Sequence, residues 1–582
     1  MARNFSADHQ LGAFVVLRLQ ALRILAVAAG AVLLTWGALP GEKRTRALSA
    51  LARWAEHPGF VLLVFAVAAA FAWTEMYIPE SEPTSEGIMA YGSWRVARGA
   101  VPCRDFVTYA FPGGYYFLGL FYRLFGPSME LGRVLTVVVP KLLIMLVFYL
   151  LAAPLLRRPA ALAVAAFALL VMSPNPDTAQ IYAGSLAILL AFATLPLIAR
   201  FLRDRDRRML AFAGVSAGLC ATIRQDFGLY TLISNTLFLG IALWAERRGP
   251  APIHSRLSCL AYYLLPWACV TGVVGTAMLV TIPFEQLTEC YLRGATSYMQ
   301  VAAKSGESFI PFMQLLSRRS ALSGSEVLSW LLVHEAALLL TWIAIGIGAW
   351  RTLLAWRRAE LDPERLTMAM LVIWAAVYMA HAFKGSSIPL VGAAPTGMMI
   401  LALLLKEARA RLPGKWAPTV LCFGLLCLAG HGGVRLFFRP FNPPPASVWI
   451  TTEVGRYLCP DRKAARTLRD AIAHVRDILP PDRRLLVYDQ TRDGNNVLFH
   501  FLSERDSCTR YHEISVGFRT DPGIYDRVIA DLERDGTAII LETEYDGSIA
   551  TNGPLNALDE HILRNYAPDA RFGSYIFWKR KP

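Results

Sequence analysis

Four glutamates, Glu75, Glu80, Glu82 and Glu86, crowd a short polar stretch wedged between two long apolar runs. A carboxylate held at a membrane surface under a roof of protein can act as a general base toward a hydroxyl or an amine. Glu86 is the best placed of the four. It opens EGIMAYGSWRVARG, a helix-like stretch whose Gly87, Ala90 and Gly92 permit close packing. The other three read as residues that solvate a loop. Further along, Arg104 stands beside Asp105, as an ion pair or a helix cap. Arg224 and Asp226 lie at the end of another apolar run, GVSAGLCATIRQDFGLY. An arginine there suits a phosphate at the interface, with snorkelling to headgroups or pairing with Asp226 as the plainer alternatives.

Most of the chain that must position these groups belongs in a bilayer. Of its 582 residues 55% are hydrophobic and only 18% are charged, and the mean hydropathy is +0.40. That composition predicts a polytopic α-helical membrane protein. The net charge of +14 sits in short loops between apolar runs, so it reads as positive-inside bias and excludes a nucleic-acid partner. Spans are expected near 20–39, 59–76, 130–152, 159–173, 181–200, 210–223, 227–245, 259–282, 327–349, 366–382, 388–405 and 416–438. Arg18 and Arg23 weaken the first, so eleven spans fit nearly as well as twelve. The basic loops 41–54, 200–209, 246–256, 350–365 and 406–415 fall on one side, the cytoplasm. Segments 77–129 and 283–326 then face outward as the first and the long outer loops.

After a proline-rich exit at 437–449 the pattern becomes that of a soluble α/β unit. Helices are expected over 461–478 and 521–535, and strands over 484–490, 537–545 and 572–580. Three parts follow: 1–58, a first helix and basic loop; 59–440, the membrane domain; 441–582, the outer-face α/β domain. Cys459 with Cys508, and Cys103 with Cys290, could each pair or stay free. The chain has no Walker loop, no H-E-x-x-H and no nucleophile elbow, which disfavours ATP-driven transport.

The first outer loop carries a resemblance. Its "EG…A…RGAVPCRDF…FPGGYYFLGLFYRLFGPS…GRVL" is similar to that loop in bacterial GT-C glycosyltransferases, polytopic enzymes such as the protein O-mannosyltransferases and the aminoarabinose transferase of lipid A. The family's loop carries Asp-Glu-Gly ahead of its Arg-Asp-Phe; here Ser85-Glu86-Gly87 stands in that place. The family's catalytic base is the aspartate, so the resemblance leaves three readings: Glu86 takes the role, a neighbour such as Glu82 takes it, or catalysis has been lost. It also implies that Arg224 meets the phosphate of a polyprenyl-linked donor and that Lys384 is a second cation. Plainly read, Lys384 is an interfacial lysine. Asp177 matches the family's acidic residue in the second outer loop, or caps the next helix. Asp105 and Glu82 complete the acidic candidates.

The resemblance implies an inverting transfer of a sugar from a polyprenyl-phosphate donor to a glycan, lipid or protein acceptor at the outer face of the bacterial cytoplasmic membrane. Cationic side chains can neutralise the leaving phosphate, so no metal or other cofactor is expected. The helix over 112–126, rich in aromatics, reads either as an interfacial helix beside the donor lipid or as a core helix. A flippase or transporter of lipid-linked sugars is the alternative; it calls for charges deep within spans and for repeated halves. A scaffold that has kept the fold without catalysis is the third.

Overall fold

The computed structural model describes residues 56–74, 83–108, 111–172, 181–245, 253–293, 336–358, 362–380, 388–409, 448–459, 462–489, 497–512, 523–537, 539–543 and 556–582. The membrane part is a helical bundle. Its helices are α1 (Pro58–Thr74), α2 (Pro83–Ala97), α3 (Gly113–Phe125), α4 (Met129–Ala152), α5 (Arg158–Met172), α6 (Gly184–Asp204), α7 (Arg207–Ile223), α8 (Gln225–Ala245) and α9 (Ile253–Thr281). A short α10 (Phe284–Thr288) runs into a π turn, Glu289–Arg293, and α11 (Ala336–Arg357), α12 (Pro363–Ala380) and α13 (Ile388–Arg409) follow.

Among the described residues, five helices are long and apolar enough to cross a bilayer, and α1 and α5 are shorter apolar helices. The 24 residues of α4 reach about 36 Å at 1.5 Å per residue, enough for a hydrocarbon core of about 30 Å. The expected spans from 59 to 282 fall on α1 and α4 to α9, shifted by a few residues at their ends. Those at 20–39 and 416–438 lie outside the described residues.

Small residues let the bundle close. A Cβ on Gly214 of α7 would stand 2.1 Å from the Tyr263 carbonyl oxygen of α9, so only glycine allows that approach. Phe192 of α6 meets Trp374 of α12 at 6.1 Å, and Trp374 stacks on Tyr378 within α12 at 4.8 Å.

The C-terminal part begins with a hairpin, β1 (Val448–Thr452) and β2 (Gly455–Cys459). Then come α14 (Arg462–Ile478), β3 (Leu486–Asp489), α15 (Val497–Ser503), α16 (Gly523–Asp535), β4 (Ile539–Thr543), α17 (Ala557–Asn565), β5 (Tyr566–Phe572) and β6 (Tyr575–Arg580). The sheet order is β3-β4-β6-β5, with β3 and β4 parallel and the other pairs antiparallel. Along α14, Ala465, Leu468, Ile472 and Val475 are buried at helical spacing, which seats one face on the core. The hairpin, α15, α17 and β5 were not expected from sequence.

This part docks on the first loop. A Cβ on Gly87 of α2 would lie 2.3 Å from the Leu498 amide nitrogen of α15. The Val107 amide donates to the Arg510 carbonyl at 2.9 Å. At the start of α4, the Met129 amide donates to the Val454 carbonyl at 2.8 Å, and Arg456 donates twice to Glu130 at 3.0 and 3.1 Å.

Candidate active site

Glu86 sits in the first turn of α2 and is fully buried. Arg133 of α4 forks onto it, Nε donating to Oε1 at 2.7 Å and Nη2 to Oε2 at 2.8 Å. The Ile181 amide, just before α6, donates to the same Oε1 at 3.3 Å. Arg133 is itself 3% exposed, so the pair lies out of water where each charge depends on the other. A π turn, Val134–Val138, follows Arg133 directly. Such turns recur at functional sites because they re-aim the side chains before them.

The next residue along from Ile181 leads to the second cation. Arg224 caps the C-terminus of α7 in extended geometry and lies over the Tyr182 ring at 5.3 Å and the Phe227 ring at 4.9 Å. Its Nε donates to Asp226 at 2.9 and 3.2 Å. The start of α3 reaches the same place, where a Cβ on Gly113 would fall 2.5 Å from the Thr222 carbonyl oxygen of α7. Thus the Ile181–Tyr182 dipeptide joins the Glu86–Arg133 pair to Arg224, and α2, α3, α4 and α7 converge there.

Helix α3 divides between the two readings made of it. Tyr115, Leu118 and Tyr122 are buried against its neighbours, while Tyr116, Leu120, Leu124 and Phe125 are exposed at 46 to 71%. It is a core helix on one face and offers an apolar face to its surroundings on the other.

Asp105 is held by donors within its own loop. It accepts from Arg104 at 3.0 and 2.9 Å and from the Val101 amide at 2.6 Å. Burial alone would raise its carboxyl, but these donors outweigh it and hold it below the usual range. Glu82, Asp177 and Lys384 lie outside the described residues, as do Glu75 and Glu80.

Two cations escaped the sequence reading as candidates. Arg133 stood within the motif "GRVL" without a role. Lys141, eight residues on and so on the same face of α4, is fully buried, and among the described residues it is the charged side chain at mid-span. The signal was available, because a charge inside an apolar run marks a functional position by default.

A second cluster joins the loop to the C-terminal part. The Tyr91 hydroxyl accepts from the Ser507 amide at 2.7 Å, and Arg98 pairs with Asp506 at 2.8 Å. His500 and His512 are both buried there. His500 stacks on Tyr91 at 4.9 Å and shares Nδ1 with the Arg505 carbonyl at 2.9 Å; His512 meets the Tyr91 and Phe106 rings at 5.2 Å. Burial pushes His500 down to about 4 and His512 well below the ordinary value.

The four cysteines separate. Cys459 and Cys508 are buried in different packing clusters, so they do not pair with each other. Cys103 and Cys290 are free but adjacent, each thiol bonded to the other and to the Thr108 backbone. Arg510 clamps the two segments, donating to the Cys103 carbonyl at 2.7 Å and pairing with Glu289 at 3.4 Å. The shared thiol bond, then burial, raises Cys103, and the same bond holds Cys290 down. Oxidised glutathione, accepting two electrons as the thiols release two protons, is expected to join them. Non-reducing digestion and mass spectrometry should then find the 103 and 290 peptides linked, and Cys103→Ser should abolish the link. Folded, oxidised protein without that peptide would contradict the adjacency.

Comparison with known proteins now bears on this geometry. Residues 110–271 match the family described as dolichyl-phosphate-mannose-protein mannosyltransferase. No curated protein matches the chain by sequence. Among solved structures, the chain is similar to ArnT from Cupriavidus metallidurans in the apo state, at 15% identity and a TM-score of 0.54, covering 89% of this chain and 97% of that one. The same protein bound to undecaprenyl phosphate matches at 14% and 0.50, covering 89% and 98%. The Archaeoglobus fulgidus oligosaccharyltransferase matches at 12% and 0.50, covering 83% of this chain and 69% of that one. From bundle, loop and docked C-terminal part alike, the chain has the polytopic membrane fold of the GT-C glycosyltransferases.

Proposed function

We propose that this protein transfers a sugar from a polyprenyl-phosphate donor to an envelope glycan, lipid or protein, at the outer face of a bacterial cytoplasmic membrane. The observation that carries this reading is the convergence of Glu86, Arg133, Tyr182 and Arg224 beneath the first loop. A carboxylate and a cation one dipeptide apart suit a displacement at an anomeric carbon. The solved relative with undecaprenyl phosphate supports the donor class, and the exposed apolar face of α3 suits the donor's lipid.

In this mechanism the acceptor hydroxyl attacks the anomeric carbon from the face opposite the phosphate and the configuration inverts. Glu86 takes the hydroxyl proton, the bond from the anomeric carbon to the phosphate oxygen breaks, and polyprenyl phosphate leaves. Arg224 exchanges Asp226 for that phosphate and offsets the charge that develops on it. Lys384 is the proposed second cation, and Asp177, Glu82 and Asp105 the proposed acidic residues on the acceptor side. With cations serving the leaving group, no divalent metal is required.

A second reading rests on the forked Arg133. The forked guanidinium favours the ionised carboxylate and so weakens Glu86 as a base, and the pair could instead hold α2 on α4 while another carboxylate takes the proton. The transporter reading draws only on Lys141.

The test is direct. Purified protein receives a polyprenyl-phosphate sugar and a panel of envelope acceptors, with and without EDTA. Transfer is expected in both conditions, and Arg224→Gln is expected to lower kcat by about 100-fold, as loss of a charge-stabilising donor does. No transfer and no donor hydrolysis with any sugar would refute the reading, and loss in EDTA alone would refute its metal-free form.

A further inference from the structure

The ends of α11, α12 and α13 meet away from Glu86 and enclose a cavity of about 300 Å³. Arg351 of α11 and Arg358, the residue just past its end, line it together with Arg365 of α12 and the carboxylate of Glu407 on α13. Arg351 is spoken for by Glu407. Arg365 lies 3.8 Å from Asp362, a loose pair with both members partly in water. Arg358 makes no ion pair among the described residues. The Thr352 hydroxyl also lines the cavity; its oxygen is buried and has no hydrogen-bond partner among the described residues. A buried hydroxyl left so is costly unless something fills the space beside it.

The rim is apolar on one side. Ile343, Ile347, Trp350 and Leu354 follow one another at helical spacing along α11. The first three are exposed at 46, 47 and 59%, and Leu354 forms part of the cavity wall. A fatty chain lying along that stripe would bring its headgroup to the three arginines. Trp350 marks the depth, since tryptophan settles at the headgroup level of a bilayer.

We propose that this cavity binds the phosphate of an anionic phospholipid, with Arg358 and Arg365 as its charge partners, Thr352 as a neutral donor and the α11 stripe as the seat of an acyl chain. The excess of arginine over carboxylate selects an anion. The continuous apolar stripe selects a lipid over a soluble phosphate. The site lies apart from the sugar-transfer residues and does not depend on that reading.

Full-length protein in a neutral detergent is titrated with dioleoyl phosphatidylglycerol, dioleoyl phosphatidylcholine or inorganic phosphate, and bound lipid is counted by native mass spectrometry beside a melting curve. Phosphatidylglycerol is expected to remain bound and raise Tm, while phosphatidylcholine and inorganic phosphate do neither. Arg358→Gln is expected to weaken phosphatidylglycerol about fivefold, the worth of one arginine at a charged surface, and Arg358→Gln with Arg365→Gln to weaken it further. Arg358 is exposed, so its exchange should leave the fold intact. Equal retention of the two lipids, or unchanged binding by the double variant with a normal melting curve, would overturn the site. A Tm rise with inorganic phosphate equal to that with phosphatidylglycerol would overturn the lipid assignment.

Discussion

Glu86→Gln is expected to abolish sugar transfer and to destabilise the protein at once. The exchange removes the proposed base, worth about 10²- to 10⁴-fold in rate. It also leaves the Arg133 guanidinium buried without its counter-charge, which costs about 3 to 5 kcal/mol. Loss of activity in the single variant would therefore not identify a base. The double exchange Glu86→Gln with Arg133→Met separates the two effects. An apolar side chain needs no counter-charge in that space, so melting should return toward the parent value, whereas transfer should stay lost. Recovery of transfer together with stability would sink the base assignment and leave Glu86 as the anchor of α2 on α4. Arg133→Met alone strands the carboxylate instead and should be about as unstable as Glu86→Gln.

Acid is expected to loosen the C-terminal part from the first loop. His500 titrates near 4 when folded because burial disfavours its charge, against about 6.5 when unfolded. The unfolded chain therefore binds more protons between those values, and stability rises with pH there. The contribution is fully present above about pH 6.5 and drains away as pH falls toward 4, to a limit of roughly 3 kcal/mol. His512 acts in the same direction. The groups that face this pair are Tyr91, Arg95 and Asp506. Arg95, the nearer cation, also opposes protonation of both histidines. Limited proteolysis and melting between pH 7 and 4.5 should show the loss, and His500→Phe should flatten the profile by about one proton's worth of slope. A flat profile in the parent protein would contradict a neutral buried pair.

Much of the membrane part was legible in the sequence because its cause is local. A run of about twenty apolar residues must satisfy its own backbone in lipid, and only a helix does so. Hence α4 to α9 fall close to their expected ranges, and α14 was readable from its period. The hairpin at Val448–Cys459 and strand β5 were missed because neither carries a clear alternation of its own along the whole strand. Pro568 further breaks the register of β5, and their pairing partners decide their form. The first loop was singled out by its carboxylates, yet local pattern could not choose the partner of Glu86.

The sequence by itself determined that this is a polytopic membrane protein, where its described spans between 59 and 282 lie, and which carboxylate of the first loop is the one to test. Only the tertiary structure decided that Arg133, 47 residues away, closes on that carboxylate, and that Ile181 and Tyr182 join it to Arg224. It also decided that Cys103 meets Cys290 while Cys459 and Cys508 stay apart, and that the C-terminal part seats two buried histidines on α2. The reason is physical. Helix formation in a bilayer depends on each segment's own hydrogen bonds and apolar surface. An ion pair, a thiol contact or a docked domain depends on how separate segments pack, and no periodicity within one segment records that.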